Sequence, residues 1–237
     1  MFLPSKNSKQ NIKFIFILIG LLFNLKFVYN QQTKVTKDIL LWSGIGIKKE
    51  ITKKIDLTVE KEIRLHKNIT LIEEQFTETK LSYKLPFNFE LGAGIRWIIE
   101  NSSNDNIKRK YRYDFNLLYE YELHKFDLEY RFKIQNKNED FFKFDVPYKN
   151  TLSYRNRIEV KYNSKIFNSK PYISSELFLR DDEYEKTYFN KIRFIFGAKY
   201  YINKNNSVNI YYQIERELNS ILPYTYYCLG INYKIKI

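Results

Sequence analysis

His66 and His124 are the only imidazoles in this 237-residue chain, and each stands apart from the groups that would make it useful. His66 has Thr70 nearby in sequence and Ser102 further on. That is the one pairing able to set an activated hydroxyl beside a base, as an enzyme acting on lipid at a membrane rim requires. His124 sits with Lys125 in what reads as a two-residue turn. No second metal-type ligand accompanies either ring, so both read as solvated turn or loop residues. Two carboxylate pairs, Glu60 with Glu62 and Glu120 with Glu122, lie two apart and could share a proton. Arginines at the same level make salt bridges the simpler reading. Cys228 is the one cysteine, which excludes an intrachain disulfide, and there is no phosphate-binding glycine loop, cysteine ligand set or nucleotide fingerprint. No catalytic residue, cofactor or metal is expected.

The charged residues gain meaning from the elements that carry them. From Tyr111 to Leu123, Tyr111, Tyr113, Phe115, Leu117, Tyr119 and Tyr121 share one parity, and Arg112, Asp114, Asn116, Glu120 and Glu122 share the other. A period of two is a strand with one apolar and one polar face. After His124 and Lys125 the parity flips, with Phe126, Leu128, Tyr130, Phe132 and Ile134 apolar and Asp127, Glu129, Arg131 and Lys133 polar. A two-residue hairpin demands that flip, because Leu123 and Phe126 pair across the ladder and point to one side.

The same unit recurs along the chain. Leu41, Ile45, Ile47 and Ile51 oppose Trp42, Gly44, Gly46 and Lys48. Further on, Leu81, Tyr83 and Leu85 oppose Lys80, Ser82 and Lys84, and Ile192, Phe194, Phe196 and Ala198 oppose Arg193, Gly197 and Lys199. The last run sets Leu229, Ile231, Tyr233 and Ile235 against Gly230, Asn232 and Lys234. Asn156 interrupts the apolar parity of its strand. Eleven strands of about ten to fourteen residues result, longer than soluble strands and close to the length that crosses a tilted bilayer span. Short turns alternate with long loops, placed at 65–75, 101–110, 136–148 and 181–188, as when turns lie on one side of a membrane and loops on the other. Tyrosines gather toward strand ends, where a lipid slab has its interfaces. The expected fold is all-β, an antiparallel up-and-down transmembrane barrel of about 10–12 strands. An even number is expected, so residues 31–40 are a candidate for a further crossing element.

Alternation alone fits two arrangements. A soluble lipocalin-like barrel buries its apolar face and binds an apolar ligand. Strand length, the alternation of turns and loops, and the apolar terminal run favour the inverse, with apolar side chains against lipid. The expected lumen set is then Glu60, Glu62, Arg64, Glu78, Lys80, Arg96, Arg112, Glu120, Glu122, Glu129, Arg131, Arg155, Arg157, Glu159, Glu176, Arg180, Arg193 and Glu215. In a barrel this narrow such side chains cross-pair and largely fill the interior, unlike a general porin.

Composition agrees with a single structured unit. Glycine (7) and proline (5) are scarce and aromatics reach 18%, against disorder or linkers. Four of the +13 formal charges are Lys6, Lys9, Lys13 and Lys26, leaving +9 from Gln31 onward. No basic block stands apart from the acids, so no nucleic-acid partner is expected. Lys6, Lys9 and Lys13 ahead of the apolar run Phe14–Phe23 read as a secretory signal over 1–30, with 31–237 as one barrel domain.

Several blocks together resemble the outer-membrane barrel family known as domain of unknown function 2490, of Bacteroidetes type. They are the Trp42 strand, EKEIR at 60–64, LSYKLPFNFELGAGIRW at 81–97, YRYDFNLLYEY at 111–121, YRNRIEVKY at 154–162, PYISSELFLR at 171–180 and NKIRFIFGAKYYI at 190–202. The resemblance implies a barrel in the outer membrane of a Gram-negative bacterium without an assigned activity, in which the recurrent Arg and Glu positions are lumen residues. Outer-membrane lipid and the barrel-assembly machinery are the expected partners, and a monomer the expected state. The two-faced strands and the export signal point to a structural or narrow-transport role, with a lipid-modifying rim enzyme or a secreted binding barrel as alternatives.

Overall fold

A computed structural model describes residues 36–101, 107–139, 151–163, 168–182 and 187–237. The signal assigned to 1–30 and the residues up to 35 lie outside them. Eleven strands form one meander: β1 (Thr36–Thr52), β2 (Ile55–His66), β3 (Leu71–Lys84), β4 (Phe89–Asn101), β5 (Ile107–Leu123), β6 (Phe126–Glu139), β7 (Thr151–Tyr162), β8 (Ser169–Asp182), β9 (Tyr188–Tyr201), β10 (Asn206–Glu217) and β11 (Tyr224–Lys236). Each pairs antiparallel with the next, and β1 pairs with β11 to close the barrel.

That closing pair is parallel, running from Thr36 opposite Tyr224 to Lys48 opposite Lys236. The expectation of an even count is corrected here. An up-and-down meander of odd number brings its first and last strands to the seam pointing the same way, so eleven strands close only through a parallel ladder. Residues 36–40 are the start of β1, not a separate crossing element. Residue 36 lies at the loop end and residue 237 at the turn end. Leu40 faces Cys228 across the seam. With Trp42 they form a small apolar cluster against Tyr211 and Tyr226.

The faces are inverted relative to a soluble protein. The largest fully buried side chains include Gln213, Glu78, Glu176, Asp56 and Asp114, while Phe115 is 65%, Phe196 51% and Leu229 49% exposed. Tyr83 and Tyr130 are exposed as well. This overturns the lipocalin-like arrangement, because only a sheet bathed in hydrocarbon gains from turning its rings outward. Asn156 proves compatible with that face, since it accepts a 2.7 Å hydrogen bond from the Tyr130 hydroxyl. Pairing there spares a polar group in lipid its desolvation cost.

Strands run further than their apolar pattern suggests. The loop expected at 65–75 shrinks to Lys67–Thr70. Lys67, Asn68 and Ile69 all take positive φ there. The amides of Lys67 and Asn68 donate to the Asp38 carboxylate at 3.0 and 2.8 Å. Likewise β5 begins at Ile107, β6 reaches Glu139 and β8 reaches Asp182, which trims the loops expected at 101–110, 136–148 and 181–188. Polar residues such as Glu74 and Arg109 sit in ladder register here. Above the apolar belt the outer face meets water, and alternation no longer signals a strand.

The parallel seam is testable by oxidation. In a Cys228→Ala background, Ser43→Cys with Ile231→Cys, directly opposite across β1 and β11, should crosslink as readily as Ile210→Cys with Ile231→Cys across β10 and β11. Cysteines facing one another across a ladder lie within disulfide reach. A bond in the second pair and none in the first would show that β1 and β11 are not neighbours.

Candidate functional site

The inward parity of every strand meets in the lumen, so the site is the wall itself. The wall divides into two chambers. One of about 560 Å³ occupies the middle and loop end, lined by Arg64, Arg96, Arg112, Arg131, Lys133, Arg155, Arg180 and Arg193 among others. The other, of about 520 Å³, lies toward the turn end and is lined by Glu60, Glu120, Glu122, Asp127, Glu129 and several lysines. Glu62, Arg157, Glu159, Tyr172 and Asn209 border both and form the waist between them. Asn209 Nδ2 donates to the Tyr172 hydroxyl at 3.0 Å, fixing one side of that waist.

Ion pairs run along the wall between neighbouring strands and strands two apart. Glu176, 2% exposed, is shared by three arginines. Arg131 reaches it at 2.7 Å, Arg155 at 2.8 Å and Arg193 at 3.5 Å. Arg193 also meets Glu215 at 2.5 Å. Glu78 takes Arg96 at 2.5 Å and Arg112 at 3.5 Å. Arg64 bridges Glu62 at 2.6 Å and Glu74 at 2.7 Å. Toward the turns, Glu129 pairs with Arg157 and with Lys161. Glu159 also lies near both, at 3.7 and 3.4 Å. Lys234 crosses the seam region to Glu60 at 2.8 Å. Glu120 differs from the rest: its side chain is 56% exposed at the turn-end mouth, 3.9 Å from Lys161.

Small residues make this crowding possible. All six glycines of the described strands lie on the inward parity. A Cβ at Gly197 would collide with the ring of Tyr172, and one at Gly230 with that of Tyr211. The rings lie over these glycines on the adjacent strand, in space that a side chain there would fill.

The chemistry sought around His66 does not assemble. The Thr70 hydroxyl donates to the carbonyl of Lys67 at 2.6 Å and is not aimed at an imidazole; Ser102 lies outside the described residues. Glu60 and Glu62 are held by different cations, Lys234 and Arg64, and do not share a proton.

With this geometry in hand, comparison places the chain. The family model described as "Protein of unknown function (DUF2490)" matches residues 40–220. The chain belongs to that family. The crystal structure of the beta domain of the Bordetella autotransporter Brka is similar at TM-score 0.47 and 6% identity, over 77% of this chain and 81% of that one. No curated protein matches.

In this DUF2490 barrel three aromatic plates stand among the lumen charges; the alternation sets Trp42 and Phe178 on the polar parity, while the expected lumen set holds charged residues only. The guanidinium of Arg64 stands 3.8 Å from the Trp42 ring centre and that of Arg96 stands 3.4 Å from that of Phe76. Phe178 is approached by Arg155 at 4.5 Å and Lys191 at 4.8 Å. Their signal was present: Phe76 falls between Glu74 and Glu78, and Phe178 between Glu176 and Arg180, each an aromatic on the charged parity. Asp114 and Lys133, paired at 2.7 Å, are also deep in the wall and were absent from the expected lumen set.

Removing the carboxylate that serves three arginines should cost far more than removing one at the mouth. Glu176→Gln is expected to destabilise the barrel by about 3 kcal/mol or more, as for other broken buried clusters. Glu120→Gln should change stability by about 0–1 kcal/mol. Urea unfolding in micelles, followed by tryptophan fluorescence, compares the two; equal midpoints would mean the wall network does not contribute.

Proposed function

We propose that this protein resides in the outer membrane of a Gram-negative bacterium and forms a narrow, charged passage for small polar solutes. The observation that carries the reading is the inverted barrel: rings turned out to hydrocarbon around a wall of ion pairs that leaves two chambers joined at a waist. Barrels of 16–18 strands hold an open aqueous channel, whereas one near this size is mostly occupied by its own side chains. What passes is then set by the charges and width of the waist, as in other selective pores. Outer-membrane lipid is the surrounding partner and the barrel-assembly machinery the route of insertion. The monomer is the working unit, since closure satisfies the ladder without a second chain.

Two measurements test this. Unheated detergent extracts should migrate faster on gels than boiled ones, as a closed barrel does. In planar bilayers the protein should show conductance well below that of a general porin, and Tyr172→Ala, which opens the waist, should raise it roughly twofold or more. Porin-sized conductance from the unaltered protein, or no heat-dependent migration, would overturn the proposal.

A further inference from the structure

The larger chamber carries a surplus of positive charge that its own carboxylates do not match. Among the described residues, eleven Lys and Arg side chains line it against four Glu, Arg180 having a partner of its own. Glu78, Asp114, Glu129 and Glu215 pair with these cations from beside the chamber, and with Arg180 set aside the described cations still outnumber the acids ten to eight.

Ladder register adds an independent sign. Arg96 stands directly opposite Arg112. Arg131 stands opposite Arg157, and Lys133 opposite Arg155. Like charges facing one another across a ladder are destabilising, and here three such pairs crowd strands β4 to β7. Hydrogen bonding points the same way. Arg112 is 8% exposed, and its nearest carboxylates lie at 3.5 and 3.9 Å, the range of loose ion pairs. Among the described residues Arg112 Nε, Arg96 Nη1 and Arg131 Nε are buried donors without an acceptor, and the buried oxygens nearest Arg112, Glu78 Oε1 and Asp114 Oδ2, lie too far away to accept from it. A guanidinium withheld from water and short of acceptors is costly until an anion reaches it.

We infer that the chamber bordered by Arg96, Arg112, Arg131, Lys133 and Arg155 binds a small, water-soluble oxyanion of two or more negative charges, phosphate or a phosphate monoester. Guanidinium forks match the paired oxygens of phosphate, a geometry that a halide cannot offer. Its volume of about 560 Å³ falls in the range of small-molecule sites. The sheet separates the chamber from lipid, so the ligand arrives dissolved. The inference shares the water-filled lumen with the proposed passage and does not require that the anion cross.

Trp42 lines the chamber and Trp97 is exposed on the outer face. In a Trp97→Phe background the remaining indole reports on the site. The folded barrel in detergent is titrated with inorganic phosphate, glycerol phosphate and chloride at matched ionic strength, folding being checked by gel migration. Saturable quenching or enhancement by either phosphate compound, absent with chloride, is expected. Arg112→Gln should weaken it about tenfold to a hundredfold, the loss of one charge-assisted hydrogen bond, and Arg112→Lys less. Saturation by the ester alone would identify the ester as the source. Failure of both phosphate compounds to saturate, an equal response to chloride, or unchanged affinity in a folded Arg112→Gln barrel would overturn the inference. Binding together with porin-sized conductance would sink only the narrow passage, whereas small conductance without binding would sink only the anion site.

Discussion

A sheet immersed in hydrocarbon cannot keep an edge, since every unpaired amide or carbonyl there is without water. That requirement governs this molecule. Eleven meandering strands satisfy it through the parallel ladder between β1 and β11. The two ends of the meander then fall at opposite mouths of the barrel. The small circumference also decides the interior, because inward side chains from all strands must share a space that their own bulk nearly fills.

Inside that space the wall sorts its charges along the axis. Toward the turns, acids face acids: Glu60 opposite Glu78, and Glu129 opposite both Glu120 and Glu159. Toward the middle, cations face cations. Carboxylates reached across the wall offset part of this repulsion, as where Arg131 on β6 reaches Glu176 on β8. Arginine suits this geometry better than lysine, because one planar group can contact a carboxylate at its edge and an aromatic ring at its face. Arg155 does so, with Glu176 at 2.8 Å and Phe178 at 4.5 Å. The inward glycines complete the arrangement by giving Tyr172 and Tyr211 room to lie across the wall.

Much of this was legible in the sequence, and the parts that were not share a cause. Period-two alternation reports which residues share a face, so the hairpin of β5 and β6, the eleven strands and the charged positions could be read directly. Alternation carries no sign: in the sequence the sense of the barrel rests on strand length and loop order, and in the structure Phe115 faces outward and Glu78 inward. It also fades where both faces are polar, so the pattern alone extends the loop at 65–75 into β3 and makes the other loops too long. Closure is a global property: nothing local in Leu40 or Cys228 announces that they meet across a parallel seam. Phe76 and Phe178 were readable as exceptions to the alternation, but their role depends on arginines from other strands that only the closed barrel brings over them.

The ladder and the outward rings supply the stability of such a barrel, and the charged wall does not need to. Ion pairs withdrawn from water repay their desolvation poorly, and apolar side chains of similar bulk often serve a protein interior as well or better. A lumen filled with Leu and Phe would close the same sheet. This one instead holds arginines opposite arginines, an arrangement unfavourable to folding by strand-pair energetics. Three such cation pairs fall on the wall between β4 and β7, which forms one side of the larger chamber. The fold answers to what surrounds the barrel, whereas the uneven charge of that wall is not something the fold requires.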